Sequence, residues 1–466
     1  MMNHSARFKL LALLTGITVS LATCLFLFTS ADISRGEAGQ SAAPKYVFIF
    51  LADGGGITHM EIVRMFNRHL YKEGLVIHDR IMKEGHVGLL TTHAADSLVT
   101  DSPAAGTALA CGCKAKTGVV GMCEDGSVPK SVMELAKEKG MRIGLVTTAT
   151  VYDASPAAFA SHVSNRRLYG SIIDQYLKLE PDLLLGGGRE QFLPRSQGGR
   201  RKDDSDMIAS FKKKGYAYVS ERQGLAQIKG GKLLGLFSLR DMSFELDRDK
   251  NTEPSLSEMT QAALRILPEG NRTGFVAFIE NENTDSAGHM TDIASLIHAY
   301  REFDRAVGLA YEFYKKHPAE TLLLVTSDHE TGGLAFSGKP SFEDLKRIQS
   351  VRISLAKAAE ILGQNPSAEA VDQLVAENFK GFVLQPELKE SIIKKRTLGP
   401  PFTRNPTAAA LSAMVASQTQ AYWISSGHTN QPVFVAALGV GSERFRGYQD
   451  NTDFAKHLFA LLDKKQ

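Results

Sequence analysis

The sequence predicts an α/β fold: a three-layer α/β/α sandwich on a large, mostly parallel central sheet, with an inserted helical lobe. Three observations predict it. Short, continuous apolar runs rich in β-branched and aromatic residues recur along the chain and alternate with amphipathic helical stretches, the pattern of parallel strands covered on both faces. Several of these runs end directly in glycine-rich or acidic tips, as at Asp53-Gly54-Gly55-Gly56. Residues 339–422 then break the rhythm, being rich in Lys, Glu, Ala and Gln with no clear strand.

Taken in order, residues 1–31 read as a signal peptide or N-terminal anchor. Arg7 and Lys9 precede an apolar run from Leu10 to Phe28, and Thr29-Ser30-Ala31 offers a small-residue cleavage site. The run is long enough to span a bilayer, so a retained anchor is the alternative; either way the folded part is expected outside the cytoplasm, periplasmic or extracellular. Residues 32–44 are a polar linker. The run 45–52 is the first buried strand, and further strands follow at 142–147, 183–185, 274–279, 321–326 and 432–438. Helical patterns fill 129–139, 256–267 and 291–314. The polar stretch 195–206 reads as a solvated surface loop. Residues 45–466 are expected to be one catalytic domain, with 339–422 as its inserted lobe.

The chain has 466 residues, 43% hydrophobic and 23% charged, with a net charge of +3. That length can bury a large core. The charge is too small to argue for nucleic acid or an anionic membrane as partner, so attraction of an anionic substrate must come from a local site. Beyond Cys24 in the export segment, three cysteines remain. Cys113 with Cys123 would close a small loop in an oxidising compartment, and Cys111 reads as a buried helix thiol. A Cys-x-Cys metal site is the weaker alternative, since no further Cys or His pair lies nearby.

In doubly covered sheets ligands bind beyond the carboxyl ends of the strands. Asp53, Glu280, Asp328 and His329 all fall there, each after a different run. Asp285 and His289 are four apart and share a face of one helical turn. His428 precedes the last predicted strand. Carboxylate and imidazole without thiolate suit a catalytic zinc site; Asp53, Glu280 and a hydroxyl suit magnesium. Singly, each residue has a plain structural reading: a helix cap, or a hydrogen-bonded histidine. His59, His69, His78 and His93 lack such a setting and are read as structural or surface residues.

Asp101-Ser102-Pro103 looks like a helix start followed by Ala-Ala-Gly-Thr-Ala-Leu-Ala. On the structural reading Ser102 is the N-cap. On the functional reading the helix N-terminus favours an anion, and a serine beside a metal is an activated nucleophile. No Gly-x-Ser-x-Gly motif is present, which argues against an α/β-hydrolase triad. Arg166 could clamp two phosphate oxygens.

These motifs together resemble the alkaline phosphatase family, in the family's order and over nearly all of the chain after the export segment: Asp53-Gly, Thr-Asp-Ser102, Asp153-Ala-Ser155-Pro, His162-Val-Ser-Asn-Arg166, Glu280-x4-Asp285-x3-His289, Asp328-His329-Glu-Thr-Gly-Gly and Gly-His428-Thr. The resemblance implies a homodimeric phosphate monoesterase with two zinc ions and one magnesium. It implies that Ser102 attacks phosphorus and becomes phosphoserine. Asp285, His289 and His428 would hold one zinc; Asp53, Asp328 and His329 the other; Asp53, Ser155 and Glu280 the magnesium. Arg166 would grip the phosphate with Asp101 orienting it, and Asp153 would order magnesium-bound water. Ser155 stands where family members often have Thr, and Ser286 where the best-known bacterial members have a Lys near the phosphate, which implies weaker phosphate affinity. The rival readings are a related metal-dependent phosphodiesterase and a non-catalytic phosphate-binding protein.

Overall fold

The computed structural model describes residues 43–463. The signal or anchor segment and nearly all of the polar linker lie outside the described residues. No helix among the described residues is long and apolar enough to cross a membrane.

Fourteen strands are present among these residues: β1 (Tyr46–Ala52), β2 (His86–Leu90), β3 (Arg142–Thr150), β4 (Leu183–Gly187), β5 (Tyr216–Val219), β6 (Lys232–Leu236), β7 (Phe275–Asn281), β8 (Thr321–Thr326), β9 (Glu330–Thr331), β10 (Ala335–Phe336), β11 (Ala421–Tyr422), β12 (His428–Thr429), β13 (Val433–Gly439) and β14 (Gly447–Gln449). Ten of them form one sheet in the order β14-β2-β13-β8-β1-β7-β3-β4-β6-β5. Only β13 runs antiparallel, against both β8 and β2, so the sheet is mostly parallel as expected. The central strands are the predicted ones. β2, β5, β6 and β14 were not anticipated; they lie toward the two edges and are short, with sequences such as Tyr-Ala-Tyr-Val that lack a sustained apolar run.

The alternation of side chains along β1 builds the three layers. Phe48 and Phe50 join a core that includes Val63, Phe66, Met259 and Phe303. Val47, Ile49 and Leu51 join a second core on the other face, with Leu109, Phe159, Ile172 and Leu458. Every residue of β1 is buried, and a large apolar side chain removed from water contributes roughly 1.5–3 kcal/mol, so both faces hold the strand in place. Residues 339–422 contain five helices, Phe342–Gln349, Leu355–Leu362, Ala368–Asn378, Pro386–Ile393 and Pro406–Thr419. β10 pairs with β11 at their base. Leu345, Leu355, Leu411 and Met414 belong to the first core, so this region shares the hydrophobic core of the sheet. The stretch 195–206 departs from a purely solvated loop: Arg201 is buried and bonded to Asp174 and Asp203, 2.6 and 2.7 Å away.

Strand register aligns the functional tips. Leu51 pairs with Glu280 on one side and Thr326 on the other, and Thr147 of β3 also pairs with Glu280. Asp53, Glu280 and Ser327-Asp328-His329 therefore emerge along one edge of the sheet.

Candidate active site

Ser102 is the first residue of the helix Ser102–Cys111 and is buried. The helix cap is Asp101, not Ser102: the Asp101 carboxylate accepts from the Ala104 N–H at 3.2 Å. The structural reading of Ser102 as a cap is thereby corrected, and the reason is positional. The capping oxygen must belong to the residue before the first helical turn, so the Ser102 hydroxyl is left for other partners. It meets His329 Nε2 at 3.2 Å.

Around that hydroxyl the ligand candidates converge. Asp53, Asp328 and His329 offer ligand atoms within 4.8 Å of one another, and so do Asp285, His329 and His428. His289, on the helix Asn283–His289, reaches Asp285 Oδ2 at 3.1 Å and His428 Nε2 at 3.2 Å. All six predicted zinc-type ligands therefore come together. His329 is common to both groups, with its ring stacked on His428 at 3.6 Å between centroids.

Hydrogen bonds assign the histidine tautomers. His289 Nδ1 lies 2.7 Å from the Ser426 carbonyl and His428 Nδ1 lies 2.8 Å from the Thr100 carbonyl. A carbonyl only accepts, so each Nδ1 carries the hydrogen. Thr331 Oγ1 donates to Asp285 Oδ1, which leaves its oxygen to accept from His329 Nδ1 at 3.3 Å. In the neutral rings all three Nε2 atoms thus present lone pairs inward, the arrangement of metal-bound imidazoles held from behind. Asp53 Oδ1, Asp328 Oδ2 and Glu280 Oε1 are buried with no hydrogen-bond partner. Acceptors facing acceptors in a buried site demand cations. The residues present fit divalent metals.

The electrostatics agree. Burial, together with the neighbouring carboxylates, raises Asp53 well above the usual range. Burial and Asp285 push Asp328 up to about 7. Burial, reinforced by Asp153, pushes Glu280 up to about 8 against the Thr147 hydrogen bond. Burial and then His428 hold His329 well below its ordinary value. For Asp285 burial acts upward, but the surrounding histidines hold it low. Burial pulls His289 down, yet Asp285 brings it up to about 9; that proton fills the place of a cation between the two.

Beside this group, Ser155 Oγ donates to Asp53 Oδ2 at 3.3 Å, and Glu280 Oε2 accepts from Thr147 at 2.6 Å. Asp153 stands at the start of the helix Ala154–Ala160 without capping it, so its carboxylate is free to bond Arg166 Nη2 at 2.7 Å. No hydrogen bond joins the Asp101 carboxylate to the Arg166 guanidinium among the described residues, and Asp101 acts on that charge across space. Both Asp101 oxygens are taken by backbone, Oδ1 by Ala104 and Oδ2 by the Gly118 N–H at 2.7 Å. Asp101 acts on Arg166 through Gly118, whose carbonyl accepts from the Arg166 N–H at 2.9 Å.

Three groups had no assigned role in the sequence reading. Thr331 orients both Asp285 and His329. Glu282 accepts from Ser286 Oγ at 2.6 Å, while its other oxygen is buried without a partner; Ser286 thus turns toward Glu282. Glu330 accepts from Thr429, beside His428, and from the Gly333 N–H at 2.8 Å. Its Oε1 also lies 3.0 Å from Nε2 of His59, a buried structural histidine. The short β9–β12 pair joins the same segments, His428 opposite Thr331. Only the spacing Asp-His-Glu-Thr-Gly-Gly pointed to Glu330 and Thr331, and it named no partner for either.

A serine hydroxyl beside a buried carboxylate–imidazole cluster, with an arginine nearby at the carboxyl edge of a doubly covered sheet, is the arrangement of a metal-dependent phosphohydrolase. The family model described as alkaline phosphatase matches residues 44–464. The chain is 31% identical to alkaline phosphatase 3 of Bacillus subtilis (strain 168), covering 93% of this chain and 92% of that one. It is 37% identical to the repressible alkaline phosphatase of Saccharomyces cerevisiae over 69% of this chain and 62% of that one. The crystal structure of Thermus thermophilus alkaline phosphatase superposes with a TM-score of 0.82 at 29% identity, covering 92% and 94% of the two chains. The chain belongs to the alkaline phosphatase family, and its activity is the hydrolysis of phosphate monoesters.

Proposed function

We propose that hydrolysis runs through a phosphoserine at Ser102. The observation that carries this reading is the convergence of three inward imidazole lone pairs and unpartnered carboxylate oxygens beside the Ser102 hydroxyl. Asp285, His289 and His428 would hold one zinc, Asp53, Asp328 and His329 a second, and Asp53, Ser155 and Glu280 a magnesium. Bound there, these cations supply Lewis acidity and charge neutralisation to an in-line displacement.

The chain's own residues do the rest. Ser102, at a helix N-terminus, attacks phosphorus where free N–H groups favour the anion, and the P–O bond to the ester's alcohol breaks on the opposite side. The Ser102 proton passes through solvent to the departing ester oxygen, which leaves as the alcohol. Arg166 turns its guanidinium to two phosphate oxygens, with Asp153 holding it in the absence of substrate. Water then displaces Ser102 from phosphorus, and the serine is regenerated. Ser286, tied back to Glu282, brings no cationic side chain to the phosphate at that position, which supports weaker product affinity. The export pattern of residues 1–31 supports a periplasmic or extracellular enzyme, membrane-anchored if that segment is retained, and the family resemblance suggests a homodimer.

The test is Ser102→Ala, with metal analysis on the same samples. We expect turnover of p-nitrophenyl phosphate to fall by more than about 10⁴-fold, as when other nucleophiles are removed, with bound metal unchanged. Full activity in Ser102→Ala, or wild type without zinc, would sink this reading.

A further inference from the structure

We propose that residues 113–123, closed by the Cys113–Cys123 disulfide, are the positioning element of the phosphate clamp, so that phosphate affinity depends on this loop while metal binding does not. The proposal rests on the reading of Arg166 as that clamp.

The loop lies between the two parts it would coordinate. It leaves the nucleophile helix just past the left-handed cap at Gly112. Its disulfide joins residues 10 apart in sequence with Cα atoms 5.6 Å apart. Inside it, Gly118 is bonded on both sides: its N–H donates to Asp101 at 2.7 Å, next to the nucleophile, and its carbonyl accepts from the Arg166 N–H at 2.9 Å. Gly118 has φ +82° with open space where a Cβ would stand, so backbone conformation, not crowding, calls for glycine there. Two residues on, Val120 and Val163 exchange backbone bonds of 3.0 and 2.9 Å. Gly121 donates to Thr107 Oγ1 at 2.8 Å, and its carbonyl meets His162 Nδ1 at 2.5 Å. One short segment thus touches the nucleophile helix at Asp101 and Thr107, and the arginine segment at His162, Val163 and Arg166.

The ties to the metal ligands are different in kind. None of the bonds of residues 113–123 named above reaches Asp53, Asp285, His289, Asp328, His329 or His428. Those side chains are fixed by Ser426, Thr100, Thr331, Gly54 and Ser155 instead. Arg166, by contrast, has one side-chain partner, Asp153, and is partly exposed. A guanidinium with one anchor depends on where its backbone is set, and its backbone is set by Gly118. The disulfide matters because the ends of the loop are otherwise joined by the Glu124 N–H to Lys114 carbonyl bond at 2.9 Å; the covalent link limits how far the Gly118 peptide can drift from Asp101.

The experiment is a double-mutant cycle. Cys113→Ser/Cys123→Ser, Arg166→Ala and their combination are compared for KM, kcat, direct phosphate binding by calorimetry and bound zinc. We expect removal of the disulfide to weaken phosphate binding and raise KM together, by about tenfold, the scale of one charge-assisted hydrogen bond, with bound zinc unchanged. In the Arg166→Ala background the same change is expected to add less than about twofold, because contributions acting through one group do not add. Thr107→Val, which removes the Gly121 contact, is expected to weaken phosphate binding in the same way, and Thr107→Ser to restore it; this pair decides the matter if the cysteine variant does not fold. Unchanged phosphate affinity without the disulfide, an equal loss in the Arg166→Ala background, or loss of zinc in parallel with phosphate would overturn the proposal. If Arg166→Ala itself leaves phosphate affinity unchanged, the clamp reading has failed rather than the role of the loop.

Discussion

The two halves of the site are held in opposite ways. On the metal side each histidine is fixed from behind by a carbonyl or hydroxyl, and the ligand oxygens are buried. On the phosphate side Arg166 is partly exposed and held by a single carboxylate and its own backbone. The difference shows which half tolerates change. A buried set of like charges without enough donors must bind a cation or take up protons, with little freedom around it. A partly exposed guanidinium with one side-chain anchor can be re-aimed by modest shifts in the loop that carries it.

The sharpest way to break this comparison is Arg166→Ala. Losing two charge-assisted contacts is expected to weaken phosphate binding by about 100-fold or more with bound zinc intact, read by calorimetry and metal analysis. If zinc is lost as well, the halves are not separate. Next is Thr331→Val, which removes the group orienting Asp285 and His329. We expect zinc affinity to fall by about 10- to 100-fold in competition with a chromogenic chelator, and more than phosphate affinity falls at saturating zinc. Ser286→Lys adds a cation on the phosphate side and is expected to strengthen phosphate inhibition a few-fold, roughly 1 kcal/mol; unchanged or weaker inhibition would count against the role given to position 286.

The smallest effect is thermal. In chelated protein Asp53, Asp328, Glu280 and His289 all have folded pKa values above their unfolded ones, about 7, 8 and 9 for the last three. Each such group favours the folded state less as pH rises through its range. His329 is shifted the other way and opposes them only below its ordinary value near 6.5. Between about pH 6.5 and 8 the melting temperature of the chelated enzyme should therefore fall by a few degrees, and that of the zinc- and magnesium-loaded enzyme should not. Parallel curves would show that these carboxylates do not titrate as a buried group.

Much of the metal half was legible in the sequence because sheet geometry made it so. A fully buried parallel strand is written as an unbroken apolar run, and the first acid after it, as at Asp53, Glu280 or Asp328, has to lie at the carboxyl edge. The Asp285–His289 spacing was legible for the same kind of reason, one helical turn. The phosphate half was harder. The link from Asp101 to Arg166 runs through a glycine peptide, and backbone hydrogen bonds between loops have no side-chain pattern to read. Thr331, Glu282 and Glu330 sit among polar neighbours where no period singles them out. The edge strands were missed because four or five mixed residues, as in β5, look the same as a loop until a neighbour pairs with them.

Asp101, by taking the cap, has a consequence for engineering. Anchoring of the helix start and reactivity at its first residue are assigned to two adjacent side chains rather than one. Heat tolerance can therefore be sought along this helix, in its packing or at its far end, without trading away the hydroxyl proposed as the nucleophile. A variant that moved the serine one place earlier would inherit the anchor and, on the phosphoserine proposal, surrender the reaction.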